Sequence, residues 1–283
     1  MQEANQLETA APTRDPAFRR ATRISFSTRL RSVARVTLPP VVALALLVVA
    51  WEFWVREREV AEYLVPRPSA VFDSLRDDPG RYATASRESL TAALGGLIVA
   101  SVGAFLLAVV MAHSRLLERA LYPPALMVKV TPIVAVYPLF AIWFGFGVGP
   151  KIAIAALIAF FPMLVNGLIG LRAVDPAALD FMRALDASRW RVLWSLRMPS
   201  SLPYVFAALR ISVPLSLIGA VVAEFLSGSS GVGQLILIAN GDFDTPALFG
   251  AIVVLAALGV FLTGIVAYIE RRVLFWHESM TDP

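Results

Sequence analysis

The 283-residue sequence predicts an all-α polytopic membrane protein with six transmembrane helices. Hydrophobic residues make up 58% of the chain and charged residues 16%, and the mean hydropathy of +0.70 is far from that of soluble proteins. Several apolar runs reach the roughly 20 residues that a helix needs to cross a bilayer. Lysine and arginine residues also concentrate in alternate loops, as they do in multi-span proteins.

Six apolar segments are long enough to be spans. They are predicted at about 36–55, 88–112, 120–146, 151–171, 204–226 and 247–269. The second is rich in small residues (Gly95, Gly96, Ser101 and Gly103), which let helices pack closely in lipid. The third contains four prolines (Pro123, Pro124, Pro132 and Pro138) and is therefore expected to be broken or kinked and packed against protein.

The polar segments between these spans complete the predicted domain organisation. Residues 1–35 are expected to form a disordered cytoplasmic tail without a signal peptide, and 271–283 a second cytoplasmic tail. Residues 56–87 form an extracytoplasmic loop, and 88–270 a core domain of five spans that includes the cytoplasmic loop 172–203.

The distribution of basic residues predicts the orientation. Of the 25 Lys and Arg residues, 16 fall in 1–35, 113–119, 172–203 and 271–283, and seven fall on the other side, six in 56–87 and Lys151 at the start of the fourth span. Because cytoplasmic loops are the basic ones, both termini and the 172–203 loop are predicted to be cytoplasmic. The net charge of +4 is therefore a topology signal and does not indicate nucleic-acid binding.

Several kinds of chemistry find no support in the sequence. There are no cysteines and only two distant histidines, His113 and His277, so a metal site is not expected. No catalytic constellation is evident, so no enzyme activity is predicted. The Gly-rich stretch 228–234 lacks the Gly-Lys-Ser/Thr of a phosphate-binding loop, so this chain is expected to bind no ATP itself.

The stretch 175–203 is the longest polar interruption in the second half of the chain and predicts two short amphipathic helices. Asp175 and Ser188 are the expected N-caps, and the second helix is expected to stop before Pro199. Two apolar faces are predicted, one of Leu179, Met182 and Leu185 and the other of Trp190, Leu193 and Trp194. By pattern alone, such a pair could equally lie on the membrane surface.

The same stretch resembles the EAA loop of ATP-binding-cassette (ABC) importer permeases. The matching positions are Asp180, Arg183, Ala184, Leu185, Ala187, Ser188, Trp190, Met198 and Pro199. Asp180 replaces the usual glutamate, and Asp186 replaces the usual glycine at a turn that is expected to need a positive φ. The resemblance implies that these residues, with Asp186, contact an ATPase subunit.

Two further segments resemble the nitrate/sulfonate/taurine branch of these permeases, namely 129–145 and 230–236. The resemblance implies a type I ABC importer permease in the bacterial inner membrane that pairs with a second copy of itself. It also implies two cytoplasmic ATPase subunits, which bind the ATP and Mg, and an extracytoplasmic substrate-binding protein. No cofactor on this chain is implied.

Polar residues inside the spans are candidates for a translocation pathway. They are Lys129, Asn166, Arg210 and Glu224, together with Pro132, one of the four prolines of the third span. Each has a simpler alternative: Arg210 can reach the membrane surface, Glu224 can be interfacial and Asn166 can join two helices.

Two other classes of membrane protein are less consistent with the sequence. A stand-alone secondary transporter or channel would have charges near mid-membrane and inverted repeats, and a scaffold or sensor would need no proline-rich span. Segments 131–135 and 143–147 resemble those of permeases for pyrimidine vitamin precursors or riboflavin more than those of sulfonate permeases, which implies such a substrate; a sulfonate, taurine or nitrate is the alternative.

Overall fold

The computed structural model describes the backbone of residues 26–275 and the side chains of residues 38–275, and all regular structure within this part of the chain is helical. The helices are α1 (Phe26–Glu57), α2 (Pro68–Asp77), α3 (Pro79–His113), α4 (Arg115–Val130), α5 (Ile133–Phe144), α6 (Val148–Arg172), α7 (Pro176–Ala184), α8 (Arg189–Val192), a π-helical turn (Leu193–Arg197), α9 (Met198–Ser227), α10 (Val232–Gly241) and α11 (Thr245–Val273). The chain divides into two units, with the boundary between Trp54 and Val55.

Helix α1 makes up the described part of the first unit. It begins at Phe26, so residues 26–35, which the sequence analysis assigned to a disordered tail, are helical, and the rest of that predicted tail lies outside the described residues. Leu44, Leu46 and Leu47 point in different directions around the helix, and each is more than 60% exposed. A helix that is apolar on all sides is suited to a membrane.

The second unit is built around α3, α6 and α9, which pack side by side along their lengths. Both α3 and α9 come close to Ala155 of α6, which is fully buried. A Cβ atom on Gly96 of α3 would lie 2.4 Å from the Ala155 Cβ, and one on Gly219 of α9 would lie 2.7 Å from the Ala155 Cα. Glycine is required on both sides because no side chain fits there.

The predicted break in the third span is confirmed. Helices α4 and α5 meet at a bend of 101° around Thr131 and Pro132 and together are apolar enough for one span. Five single helices are also long and apolar enough, which gives up to six spans in the described part of the chain, as predicted. The turn before α6 is built by Gly145 and Gly147, whose φ angles are +74° and +146°.

The segments predicted as loops contain helices of their own, and some helices extend beyond the predicted spans. Helix α3 starts at Pro79 instead of residue 88, since Asp78 accepts a hydrogen bond from the Arg81 N–H and Pro79 occupies the first helical position. The predicted loop 56–87 includes α2, and the Gly/Ser-rich loop 227–246 includes α10. The Tyr82 hydroxyl of α3 joins α2 and α11 to the bundle, since it contacts the Ser74 hydroxyl of α2 and donates to the Ala247 carbonyl of α11.

We predict that Gly96→Ala destabilises the bundle by about 1–3 kcal/mol, because the added methyl group overpacks the contact with Ala155. Gly103→Ala on the same helix is the matched control, since its Cβ would meet only Phe160 at 3.9 Å, an ordinary contact. Thermal unfolding of both variants in detergent, followed by fluorescence, measures the difference. Equal melting temperatures would contradict this account of the packing.

Candidate functional site

The stretch 175–203 forms the predicted pair of short helices. Asp175 Oδ1 accepts a hydrogen bond from the Ala177 N–H at 2.9 Å, and Ser188 Oγ accepts one from the Arg191 N–H at 3.3 Å. Both predicted N-caps are therefore confirmed.

The turn between the two helices has the left-handed conformation expected of it. Asp186 has a φ of +50°. The Ala187 N–H donates to the Met182 carbonyl and the Asp186 N–H to the Arg183 carbonyl, both at 3.0 Å. This is the hydrogen-bond pattern of a Schellman motif, in which glycine is the usual residue at the position that Asp186 occupies. An aspartate there costs about 1–2 kcal/mol.

The sequence analysis expected the second helix to stop before Pro199, but the helix continues past this residue. Residues 189–227 form one continuous helical rod of 39 residues, in which α8 passes through the π-helical turn into α9. Pro199 lies in the first turn of α9, directly after the π-helical turn. A wider turn relieves the clash between a proline ring and the preceding carbonyl groups, so the helix continues.

The two predicted apolar faces are each divided in the structure. Leu179 and Met182 are half-buried, but Leu185 is 60% exposed because α7 ends at Ala184 and Leu185 leaves the helical phase. Leu193 is buried in the core, whereas Trp190 and Trp194 stay exposed. Phe181, Leu185 and Trp190 form what we call the exposed apolar set. Their exposed fractions are 65%, 60% and 68%.

The remaining predicted coupling residues surround this set. Asp180 and Arg183 form an ion pair at 2.8 Å, and both side chains are more than 70% exposed. A pair this exposed contributes about 0–1 kcal/mol to stability, so it leaves both charges accessible to a partner. Ala184 and Ser188 are exposed and Ala187 is half-buried, whereas Met198 and Pro199 lie further along, beside a groove next to α3.

Arginine side chains fasten this stretch to the ends of the neighbouring helices. Arg172 donates to both carboxylate oxygens of Glu118, at 2.8 and 2.7 Å, and to the Met111 carbonyl. Arg197 donates to the Ala112 carbonyl at 3.2 Å. The ends of α3 and α6, the start of α4 and the stretch 175–203 therefore share one end of the bundle, which we call the basic end.

The opposite end is held by a buried carboxylate that the sequence analysis considered interfacial or part of a pathway. Glu224, near the end of α9, is fully buried. Its two oxygens accept hydrogen bonds from Ser89 Oγ of α3 at 2.7 and 2.9 Å, and one of them also accepts the Gly233 N–H at 2.8 Å. Ser89 Oγ in turn accepts the Val232 N–H at 2.9 Å. A buried carboxylate with several donors holds its neighbours firmly.

The Gly/Ser-rich loop closes over this carboxylate. Gly231 has a φ of +123°, and a Cβ atom there would lie 2.1 Å from Glu224 Oε1. The Lys151 ammonium group of α6 donates to the Ser230 carbonyl at 2.6 Å and to Ser230 Oγ at 3.2 Å. These contacts define the Glu224 network, which joins α3, α6, α9 and α10. Sequence reasoning missed Ser89 and Lys151 as its members, because a lone hydroxyl or lysine gives no pattern.

The other pathway candidates each have a different neighbour. The Lys129 ammonium group lies 4.5 Å from the centroid of the Phe161 ring. Pro132 is the N-cap residue of α5 at the bend, and the Asn166 side chain donates to the Pro162 carbonyl in its own helix. Arg210 lies 2.5 Å from Glu270 of α11. These contacts do not gather the candidates into one cluster, and their role in a pathway stays a prediction.

Comparison with known proteins identifies the class of protein. The model of the family described as "Binding-protein-dependent transport system inner membrane component" matches residues 89–275. The riboflavin transport system permease protein RibX of Chloroflexus aurantiacus is 35% identical over 258 residues, which cover 89% of this chain and 96% of the relative. The formylaminopyrimidine transport permease protein ThiX of Halalkalibacterium halodurans is 30% identical over 244 residues, which cover 86% and 97%.

A third relative and a solved structure agree with these matches. The putative aliphatic sulfonates transport permease protein SsuC of Bacillus subtilis is 35% identical over 188 residues, 66% of this chain and 68% of the relative. A chain of the MetNI methionine ABC transporter in an inward-facing conformation superimposes with a TM-score of 0.60 at 15% identity, covering 68% of this chain and 96% of that one. This structural likeness concerns the fold alone.

The fold is thus that of an ABC importer permease, a multi-pass protein of the inner membrane. The chain belongs to the family of binding-protein-dependent transport system inner membrane components, within the branch that includes the sulfonate and taurine permeases. The resemblance found in the sequence is confirmed.

We predict that Ser89→Ala lowers the free energy of unfolding by about 1–3 kcal/mol, because the buried Glu224 carboxylate keeps only the Gly233 N–H as a donor and the Val232 N–H loses its acceptor. Thr91→Ala is the control on the same helix, since the Thr91 hydroxyl is exposed and bonds only to the Arg87 carbonyl. Its effect should stay within about 0.5 kcal/mol. Hydrogen exchange of residues 228–233 should rise in the first variant alone, and an equal rise in both would refute the role of the network.

Proposed function

We propose that this chain forms the translocation pathway of an ABC importer together with a second copy of itself. Two cytoplasmic ATPase subunits bind the ATP and Mg, and an extracytoplasmic binding protein delivers the solute. In this arrangement the basic end and both termini face the cytoplasm, as the distribution of lysine and arginine favours.

The observation that carries this proposal is the exposed apolar set on a helix pair joined to a span. Phe181, Leu185 and Trp190 keep more than half of their surface exposed beside the polar Asp180–Arg183 pair. Large apolar side chains exposed next to charged groups are typical of a protein interface. The predicted partner is the ATPase, and Asp180, Arg183 and Asp186 contribute the polar contacts and the turn.

Transmission to the membrane follows from the continuity of residues 189–227. Because α8, the π-helical turn and α9 form one rod, a displacement of the coupling stretch by the ATPase moves α9 with it. Arg172 and Arg197 link the same region to α3 and α4. ATP-driven closure of the ATPase pair therefore tilts these spans and opens the pathway to alternate sides of the membrane.

For the substrate we propose a small nitrogen heterocycle, either a pyrimidine vitamin precursor or riboflavin. Two relatives that align with more than 85% of this chain are named for transport of riboflavin and of formylaminopyrimidine. A sulfonate is the alternative, since SsuC of Bacillus subtilis shares 35% identity over a shorter region.

Trp190→Glu should abolish co-purification of the co-expressed ATPase and reduce transport at least about tenfold, because it places a charge in an apolar contact. Phe146→Glu is the matched control: Phe146 is 97% exposed, but it lies in the turn before α6, at the end opposite the coupling stretch. This variant should retain the ATPase. Retention of the ATPase by Trp190→Glu at the wild-type level would refute the docking surface.

Calorimetry on the binding protein of the same transporter tests the substrate. We expect it to bind riboflavin or an aminopyrimidine tightly and to show no heat with taurine or an alkanesulfonate. The opposite result would replace the heterocycle by a sulfonate while leaving the permease proposal intact.

A further inference from the structure

Two adjoining polar cavities lie at the basic end, between the end of α3 and the coupling stretch. One, of about 390 Å³, is lined by His113, Arg183, Arg189 and Arg197 with Leu179 and Val192. The other, of about 350 Å³, shares His113, Leu179 and Arg197 and adds Arg115 and Arg172. No aspartate or glutamate lines either cavity within the described part of the chain. We call the two together the arginine pocket.

The charges around the arginine pocket are unequal. Its lining contains five arginines, and among the described residues two carboxylates form ion pairs with them, Glu118 with Arg172 and Asp180 with Arg183. Arg197 donates to a neutral carbonyl, that of Ala112. Several guanidinium groups that converge without matching carboxylates favour an anion, and a phosphate group accepts such donors especially well.

An apolar groove of about 480 Å³ lies between α3, α6 and α9. Apart from the hydroxyl groups of Ser101 and Ser201, its lining is apolar. The apolar side chains in its lining include Phe105, Leu106, Trp194, Met198, Val205 and Leu209. A groove of this kind on a membrane helix bundle suits a hydrocarbon chain.

The groove and the arginine pocket lie one above the other along the same helices. Phe105 and Leu106 line the groove, and the residues seven positions further along α3, Ala112 and His113, line the pocket. A spacing of seven is two helical turns, so these pairs share one face and are separated by about 10 Å along the axis. On the other wall, Trp194 lines the groove and Arg197 the pocket.

We propose that this composite site binds an anionic phospholipid, with its phosphate in the arginine pocket and an acyl chain in the groove. Basic pockets beside membrane helices at the cytoplasmic surface are suited to anionic headgroups. The groove distinguishes a lipid from free phosphate, and the excess of arginine distinguishes an anionic lipid from a zwitterionic one. The bound lipid would brace the coupling stretch against α3. This proposal stands without the substrate or the ATPase assignment.

The test uses the full-length chain in nanodiscs of phosphatidylcholine with increasing phosphatidylglycerol, and native mass spectrometry counts the retained phosphatidylglycerol. The wild-type chain should retain it in preference to phosphatidylcholine. Arg189→Gln combined with Arg197→Gln should weaken retention at least about tenfold, the effect expected of two lost charges. Arg271→Gln, an exposed arginine at the end of α11, should leave retention unchanged.

A second pair of variants tests the groove. Leu106→Trp should fill it and reduce retention, whereas Val99→Trp should not, because Val99 is similarly exposed on α3 but does not line the groove. Both positions are more than half exposed, so neither variant disturbs the core.

Four results would overturn the proposal. Equal retention by wild-type and double-variant chains would remove the headgroup site, and an effect of Arg271→Gln equal to that of the double variant would reduce it to surface charge. Loss of the ATPase from the double variant with unchanged lipid retention would identify the pocket as a protein contact. If Leu106→Trp retained as much phosphatidylglycerol as the wild-type chain, the site would bind the phosphate alone and the acyl-chain contact would be refuted.

Discussion

The close approach of three helices around Ala155 is the constraint on which the rest of the second unit depends. Inside a bilayer, apolar side chains gain little by leaving lipid, so helices associate where small residues let their backbones meet. Gly96 and Gly219 both contact Ala155 and bring α3 and α9 onto α6. Ser212 adds a hydrogen bond from α9 to the Ala159 carbonyl of α6. The elements that we associate with function are extensions of these three helices.

The two ends of this bundle are restrained in different ways. At the opposite end, the Glu224 network joins four helices through buried hydrogen bonds to a carboxylate, which leave the loop little freedom. At the basic end, exposed or half-exposed arginine contacts fasten the coupling stretch, and such contacts are individually weak. A bundle that is firm at one end and adjustable at the other is suited to receive a displacement at the adjustable end. The phospholipid that we propose would act there.

The coupling stretch illustrates how local strain and continuity combine. Asp186 completes a Schellman motif in a conformation that glycine adopts more easily, yet its hydrogen bonds are fully formed. After Ser188 the helix continues through a π-helical turn into α9 and is not broken by Pro199. The Schellman hydrogen bonds hold the turn at Asp186, and the π-helical turn lets the helix continue past Pro199. Together they form a stiff connection between the surface helices and a span.

The sequence by itself determined the features that depend on neighbouring residues: the spans, a proline break in the third of them, and the caps at Asp175 and Ser188. The resemblance to a known loop added the turn at Asp186. Only the tertiary structure decided the partners of Glu224, because Ser89 is 135 positions away and neither residue type predicts the contact. It also separated Leu193 from the exposed Trp190 and carried the helix past Pro199. Local patterns fix the conformation of a segment. Burial and long-range hydrogen bonds depend on which helices pack together, and small residues at distant positions of the chain determine that packing.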